Sequence, residues 1–447
     1  MKNKLYLFGI AFIGVMACTS LFAAESGDMA LENTILRQRL DQLDREVEQL
    51  RRNASLQNNM DGTNSLYPIW SKLDIQFYGY VKLDASYDQS RIENGNYAQW
   101  VDSAYMSGSS NNDNDDQFNM TAKQTRLGFN ISGPDSGDLV TSGKIEVDFY
   151  GSSSAENKAG IMMRHAYLKL DWPKKNFNII AGQTSDVISP LFPSTINYSV
   201  GWWSGNIGYR RPQIRATKSF KIETGEVLKF EGALARTIGR DNTSLSGTLD
   251  SGEDSGTPTL QARVSMAMDT FGPEKATFGI SGHYGEEEYD TNAGGGNKEF
   301  ESWSINFDYT QPVSEKVTVK AELFKGQNLN QYLGGIGQGV NLDDTPNHNL
   351  YEEIGSKGGW IAASLGPWKN KNYNVGIAFD SADPDNLTEN TGTSTSRRLN
   401  QSVFANVMCS LNSNVDVGFE LSHWRTEYKG RGDQDSLRAQ AALIYKF

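Results

Sequence analysis

From Leu73 to Phe447 the chain runs in short alternations of apolar and polar residues, each about ten positions long and closed by Gly, Asn, Asp or Pro. In IQFYGYVKLDASYD, Ile75, Phe77, Val81, Leu83, Ala85 and Tyr87 share one face, and Gln76, Tyr78, Tyr80, Lys82, Asp84 and Ser86 the other. Successive side chains of a strand point to opposite faces, so the pattern predicts a strand with one apolar side. About sixteen such strands can be placed, with centres near Tyr80, Leu127, Val147, Arg164, Ile179, Ile214, Phe230, Val264, Ile280, Ile305, Val319, Ala362, Val375, Val403, Phe419 and Leu443. The final LRAQAALIYKF continues the pattern. Leu437, Ala439, Ala441, Leu443, Tyr445 and Phe447 face one way, Arg438, Gln440, Ala442, Ile444 and Lys446 the other, and this strand should pair with the first around Phe77 to Tyr87.

A soluble sandwich would alternate too. The connections favour a barrel: short turns such as DWPKKN, QPVSEK and LNSN take turns with long polar insertions such as GSSNNDNDDQ and LDSGEDSGT. Residues 73–447 are therefore expected to be all-β, a 16-stranded antiparallel transmembrane barrel whose closure leaves no strand edge in lipid.

The start of the chain has a different texture. Lys2 and Lys4, an apolar run and the small residues before Glu25 read as a signal peptide over residues 1–24, too short to span a bilayer as a helix. Cys18 offers a lipidation site as the alternative. Over residues 28–58, Met29, Leu36, Leu43 and Leu50 fall at d and Asn33, Leu40, Val47 and Ala54 at a, a short α-helical coiled coil or else one docked amphipathic helix. Residues 59–72 are a linker. An exported chain with an even strand number places both barrel ends and the coiled coil in the periplasm of an outer-membrane protein.

Composition sharpens this reading. Hydrophobic residues make up 38% and aromatic residues 11% of the 447, with 44 glycines. Mean hydropathy is -0.53, so the chain is too polar for a large packed core and too aromatic for disorder. Net charge is -12, or -14 without Lys2 and Lys4, which argues against nucleic acid as a partner. Cys409 would remain as a single small residue on a strand after leader removal.

A barrel of about sixteen strands can enclose water. The polar faces carry Arg126 and Asn130, Lys144, Glu146 and Asp148, Arg211, Gln213 and Arg215, Lys229 and Glu231, Gln261 and Arg263, Lys320 and Glu322, Arg398 and Asn400, and Arg438 and Gln440. Arg or Lys facing lipid near the midplane costs about 2–4 kcal/mol, so these side chains should line the lumen. Arg126, Lys144, Arg164, Arg211, Arg215 and Arg263 form a candidate basic wall for anions, with the register least secure around Arg164. Between the strands centred on Ile179 and Ile214 lies GQTSDVISPLFPSTINYSVGWWSGNIGYRR, less charged than the other long loops. It should fold inward as a constriction, with Asp186 facing the basic wall and Tyr198, Trp202 or Trp203 narrowing the passage; otherwise the tryptophans pack at the rim or against another subunit.

Nothing in the chain spells out an enzyme. His165, His283, His348 and His423 are scattered, and no nucleophile elbow, H-E-x-x-H or paired Cys occurs. GGIGQG sits in a long connection without the context of a phosphate site, and DNDD lacks the glycine and distal Glu of a calcium loop. The expectation is no catalytic residue, no metal site and no cofactor.

GYVKLDASYD, TRLGFNISGP, GKIEVDFYG, RHAYLKLDW, AGQTSDVISPLFPSTINY and the closing YKF, behind a leader and coiled coil, resemble the DcaP-like trimeric outer-membrane porins. The resemblance implies a homotrimer tied by a periplasmic coiled coil and a third external loop, residues 183–208 here, forming the constriction. It also implies uptake of small anions such as dicarboxylates, and a terminal Phe447 read by the barrel-assembly machinery. Two functions remain open: a passive outer-membrane channel, or a structural or adhesive barrel binding a surface or cell-wall partner.

Overall fold

The computed structural model describes residues 73–103, 115–151, 156–223, 225–239, 252–253, 255–290, 297–345, 348–388, 396–430 and 432–447. The leader, coiled coil and linker expected within residues 1–72 lie outside them. The strands are β1 (Asp74–Asp88), β2 (Gln117–Thr121), β3 (Arg126–Ser132), β4 (Val140–Gly151), β5 (Gly160–Trp172), β6 (Phe177–Ser185), β7 (Arg210–Lys221), β8 (Val227–Ala235), β9 (Thr259–Met268), β10 (Ala276–Asp290), β11 (Asn297–Ser314), β12 (Val317–Gln327), β13 (Val340–Thr345), β14 (His348–Glu353), β15 (Gly355–Trp368), β16 (Lys371–Ala382), β17 (Arg397–Ser410), β18 (Val415–Tyr428) and β19 (Gln434–Lys446). Seventeen of them form one antiparallel sheet, and β13 and β14 a separate hairpin. Because β2 and β3 both pair with β1 along its length, they are two halves of one wall strand, which makes the wall sixteen strands. All sixteen sequence-placed centres fall within these strands.

The wall closes where β1 meets β19, from Tyr80 opposite Lys446 to Asp88 opposite Arg438. Phe447 extends the seam: its backbone N–H and C=O each bond Gly79 at 3.1 Å, and its ring stacks on Phe77 with centroids 5.2 Å apart. A side chain at position 79 would meet the Arg126 carbonyl at 2.2 Å, so only glycine fits the seam there.

Burial decides between barrel and sandwich. Ile161, Ile305 and Ile280 are 71%, 64% and 62% exposed, whereas Asp88, Asp148, Asp380 and Asn400 are fully buried. A soluble sandwich would bury the isoleucines. The reversal makes sense only if the outer face meets lipid and the polar face turns inward. Aromatic pairs Trp172–Phe177, Phe220–Phe230, Phe278–Tyr309 and Trp368–Tyr373 lie near the rim of short turns, as an interfacial belt does. Both ends of the sheet lie at this turn rim; the long connections lie at the opposite, loop rim.

The inner wall is not uniformly polar. Phe324 on β12, Trp360 and Ala362 on β15, Ala378 on β16, Phe404 on β17 and Trp424 on β18 are inward and buried, because loops fold in against them. Two sequence expectations need correction. A register shift between Arg397 and Leu399 turns Arg397 inward over the Trp100 ring, at 4.0 Å, and leaves Arg398 in an exposed pair with Glu427. GGIGQG, in a long connection expected on the outside, folds inward: Ile336 is fully buried, the turns on either side permitted by Gly335 and Gly337 at φ +61° and +70°.

Candidate functional site

Strands β3, β4 and β5 are neighbours, so their inward side chains form one patch of wall. Glu146 pairs with His165 but Val147 with Met163, which makes Arg164 the extra residue of a β-bulge. The bulge turns both Arg164 and His165 inward and explains why simple alternation left this register insecure. Glu146 is the hub: it accepts from the Tyr78 hydroxyl at 2.7 Å and Arg164 Nε at 2.9 Å, with Arg126 Nε at 3.5 Å and Lys144 Nζ at 3.6 Å. Arg164 also reaches Asp148 at 2.6 Å. Arg126 lies over the Tyr80 ring and Lys144 over Tyr78, at 5.3 and 5.1 Å, which aims both cations along the wall.

Three cations thus surround two carboxylates. Arg164 is spent on them and buried, while the Arg126 and Lys144 side chains stay 23% and 27% exposed. Arg211 is fully enclosed: its Nε lies 2.7 Å from Asp186 and its guanidinium sits 3.9 Å from the Tyr332 ring. Asp186 also accepts from Gln261 at 2.7 Å and from the Tyr209 backbone at 2.8 Å. The expected meeting of Asp186 with the basic wall is present, but as the locked stem of a loop. Arg215 lies on the same inward face of β7, half-buried. Arg263 stands apart on β9, paired at 2.7 Å with Asp308 and 3.0 Å with Glu231, so its charge is offset locally.

The segment between β6 and β7 crosses the barrel. On the far wall Glu322 accepts from the Leu191 backbone at 2.8 Å, and Glu420 from the Thr195 hydroxyl at 2.7 Å and the Ile196 backbone at 2.9 Å. Asn406 donates to the Ser194 carbonyl, Lys82 to that of Ile196 and Asn400 to that of Trp203, at 2.7, 2.8 and 2.8 Å. Tyr198, Trp202 and Trp203 are only 7%, 4% and 9% exposed. They pack with Tyr97, Trp100, Tyr150, Met162, Tyr209 and Leu333 into one aromatic cluster within the barrel.

Two further loops complete that cluster, and both escaped the sequence reading. Residues 89–103 fold in, with Ala98 bonded to Asn197 and Val101 to Thr426 and Tyr428. Here burial and a hydrogen bond with Glu93 push the Asp102 carboxyl up to about 7. The residues after β12 fold in as well: Trp203 N–H donates to the Leu333 carbonyl and Gly208 N–H to that of Tyr332, each at 2.8 Å. The signal for them was the aromatics Tyr97, Trp100 and Tyr332 in otherwise polar connections.

Such a site can guide and filter a solute: charge on one wall, a covered aromatic plug beside it. Among the described residues no group of His, Cys, Asp and Glu is arranged to hold a metal ion. Residues 21–232 match the model of the DcaP outer membrane protein family. No curated protein matches the chain in sequence. Among solved structures, the outer membrane channel DcaP of Acinetobacter baumannii is 21% identical with a TM-score of 0.65, over 87% of this chain and 100% of that one. An anion-selective porin from Comamonas acidovorans is 12% identical with a TM-score of 0.50, over 84% and 100%. Over residues 21–232 the chain is thus similar to the DcaP outer membrane protein family, and its closed barrel shares the fold of the solved DcaP channel.

Proposed function

We propose that this porin is a passive diffusion channel that favours small anions, dicarboxylates first among them. The observation that carries the reading is the state of Arg126 and Lys144. Glu146 is already served at 2.7 and 2.9 Å by Tyr78 and Arg164, so the two more distant and partly exposed cations keep donors free for a passing solute. A guanidinium fork beside an ammonium offers two points of attachment, which suits two carboxylates better than one. Uptake into liposomes tests this. Dicarboxylates should enter faster than monocarboxylates, and both faster than neutral sugars of similar size. Equal rates would remove the anion preference, and impermeable vesicles the channel itself.

The proposal extends to Phe447 as a label read by the barrel-assembly machinery. Its ring stacks on the exposed Phe77 at the seam and it remains 40% exposed itself. Phe447→Ala should therefore lower the yield of heat-modifiable barrel in membranes far more than it changes single-channel conductance. Normal yield would reduce Phe447 to a belt residue.

A further inference from the structure

On the outer face of the wall, Lys325 of β12 stands directly opposite Lys357 of β15, and both are exposed. Lys325 lies two residues from the loop-rim end of its strand, and Lys357 two residues from that of its own. Among the described residues neither has an acidic partner. Around them the face is mostly apolar: Ile305 sits opposite Lys325 and Ser381 opposite Lys357, with Leu323 and Ile361 below, 54% and 47% exposed. One step towards the loop rim, Trp303 pairs with Tyr284 and Gln327, and aromatic side chains of this kind mark headgroup depth.

Like charges directly opposite each other on a sheet repel, and an apolar surround does nothing to screen them. Long lysine stems allow both ammonium groups to rise from the apolar band to the polar boundary. There the anion at hand is the phosphate of a lipid headgroup, whose oxygens can accept from both ammonium groups and cancel their repulsion. We propose that Lys325 and Lys357 form a two-point site on the outer wall for the phosphorylated headgroup of a membrane lipid. The site is separate from the lumen and would hold a boundary lipid against β12 and β15 beneath the loop that follows β12.

The test uses the full chain purified in mild detergent, with Lys325→Gln/Lys357→Gln as the variant. Diphosphorylated lipid A in micelles is titrated against the delipidated protein, followed by native mass spectrometry, with a phosphate-free glycolipid and inorganic phosphate as comparison probes. The unmodified protein should retain lipid A through washing and bind it at least tenfold more tightly than the variant or the glycolipid. Both proteins should conduct alike in planar bilayers, which shows that the variant barrel is intact. Equal lipid A affinity in the two proteins overturns the site. So does inorganic phosphate binding as tightly as lipid A, which would make it a free-anion site. A variant that changes oligomeric state but not lipid retention would assign this face to contact between copies and also overturn it.

Discussion

Arg126→Glu/Lys144→Glu is expected to reverse the ion preference of the channel. In the unmodified patch three cations face two carboxylates; in the variant Arg164 alone would face Glu146, Asp148 and two new acids. A unit charge about 4 Å from an ion is worth about 1 kcal/mol even in bulk water, roughly a fivefold change in local ion concentration. Two reversals on one exposed stretch of wall are enough to change the sign of the potential a permeating ion meets. The measurement is the reversal potential in a KCl gradient, which should change sign. The change should be largest at low ionic strength, because the Debye length shrinks from about 30 Å at 0.01 M to about 10 Å at 0.1 M. An unchanged reversal potential would show that ions do not pass this wall. Arg211→Ala makes a useful contrast: Arg211 is enclosed against Asp186 and Tyr332, so its loss should loosen the loop stem and alter open-channel noise more than selectivity.

That contrast also shows which parts of the site were legible beforehand. Alternation identified all sixteen wall strands, because lipid outside and water inside impose period two on every one of them. It also gave the inward direction of Arg126, Lys144, Arg211, Arg215 and Arg263. It could not give their occupancy: that Arg263 is held between Asp308 and Glu231, or that Arg211 lies under a loop, depends on contacts between distant segments. Nor could it foresee one-residue bulges. A single extra residue at Arg164 turns His165 inward beside it, and another near Arg397 exchanges the faces of Arg397 and Arg398. The inward loops were half legible. The paired tryptophans announced the segment after β6, yet Trp360, Phe404 and Trp424, the apolar patches that receive loops, look in sequence like ordinary strand residues.

Gly205→Ala, the addition of one methyl group, is expected to displace the crest of the loop between β6 and β7. Gly205 has φ +114°, and a Cβ there would lie 2.3 Å from the Gly359 carbonyl and 2.7 Å from that of Phe379. Both obstacles are backbone atoms of the barrel wall and cannot swing aside as a side chain could. The unfavourable backbone conformation costs about 1–3 kcal/mol, and forcing atoms into a filled contact about 1–3 kcal/mol more. Holding the crest in place are the Ser204–Ser402 hydroxyl contact at 3.0 Å, the Asn400 bond to the Trp203 carbonyl at 2.8 Å and the Trp203 N–H bond to the Leu333 carbonyl at 2.8 Å, neutral hydrogen bonds worth about 0.5–1.5 kcal/mol each. The strain is therefore of the same size as these three bonds together. At the base, Asp186 remains tied to Arg211, and Glu420 still accepts from Thr195 and Ile196. The loop should stay anchored at both ends while its middle lifts, taking Trp202 and Trp203 out of the aromatic cluster. Single-channel recordings should then show higher unit conductance with added flicker, and limited proteolysis should cut near residue 205 where the unmodified barrel resists. The wall cations are untouched, so the sign of the ion preference should persist. Unchanged conductance together with unchanged protease resistance would mean that the wall yields at Gly359 and that the crest does not obstruct the passage.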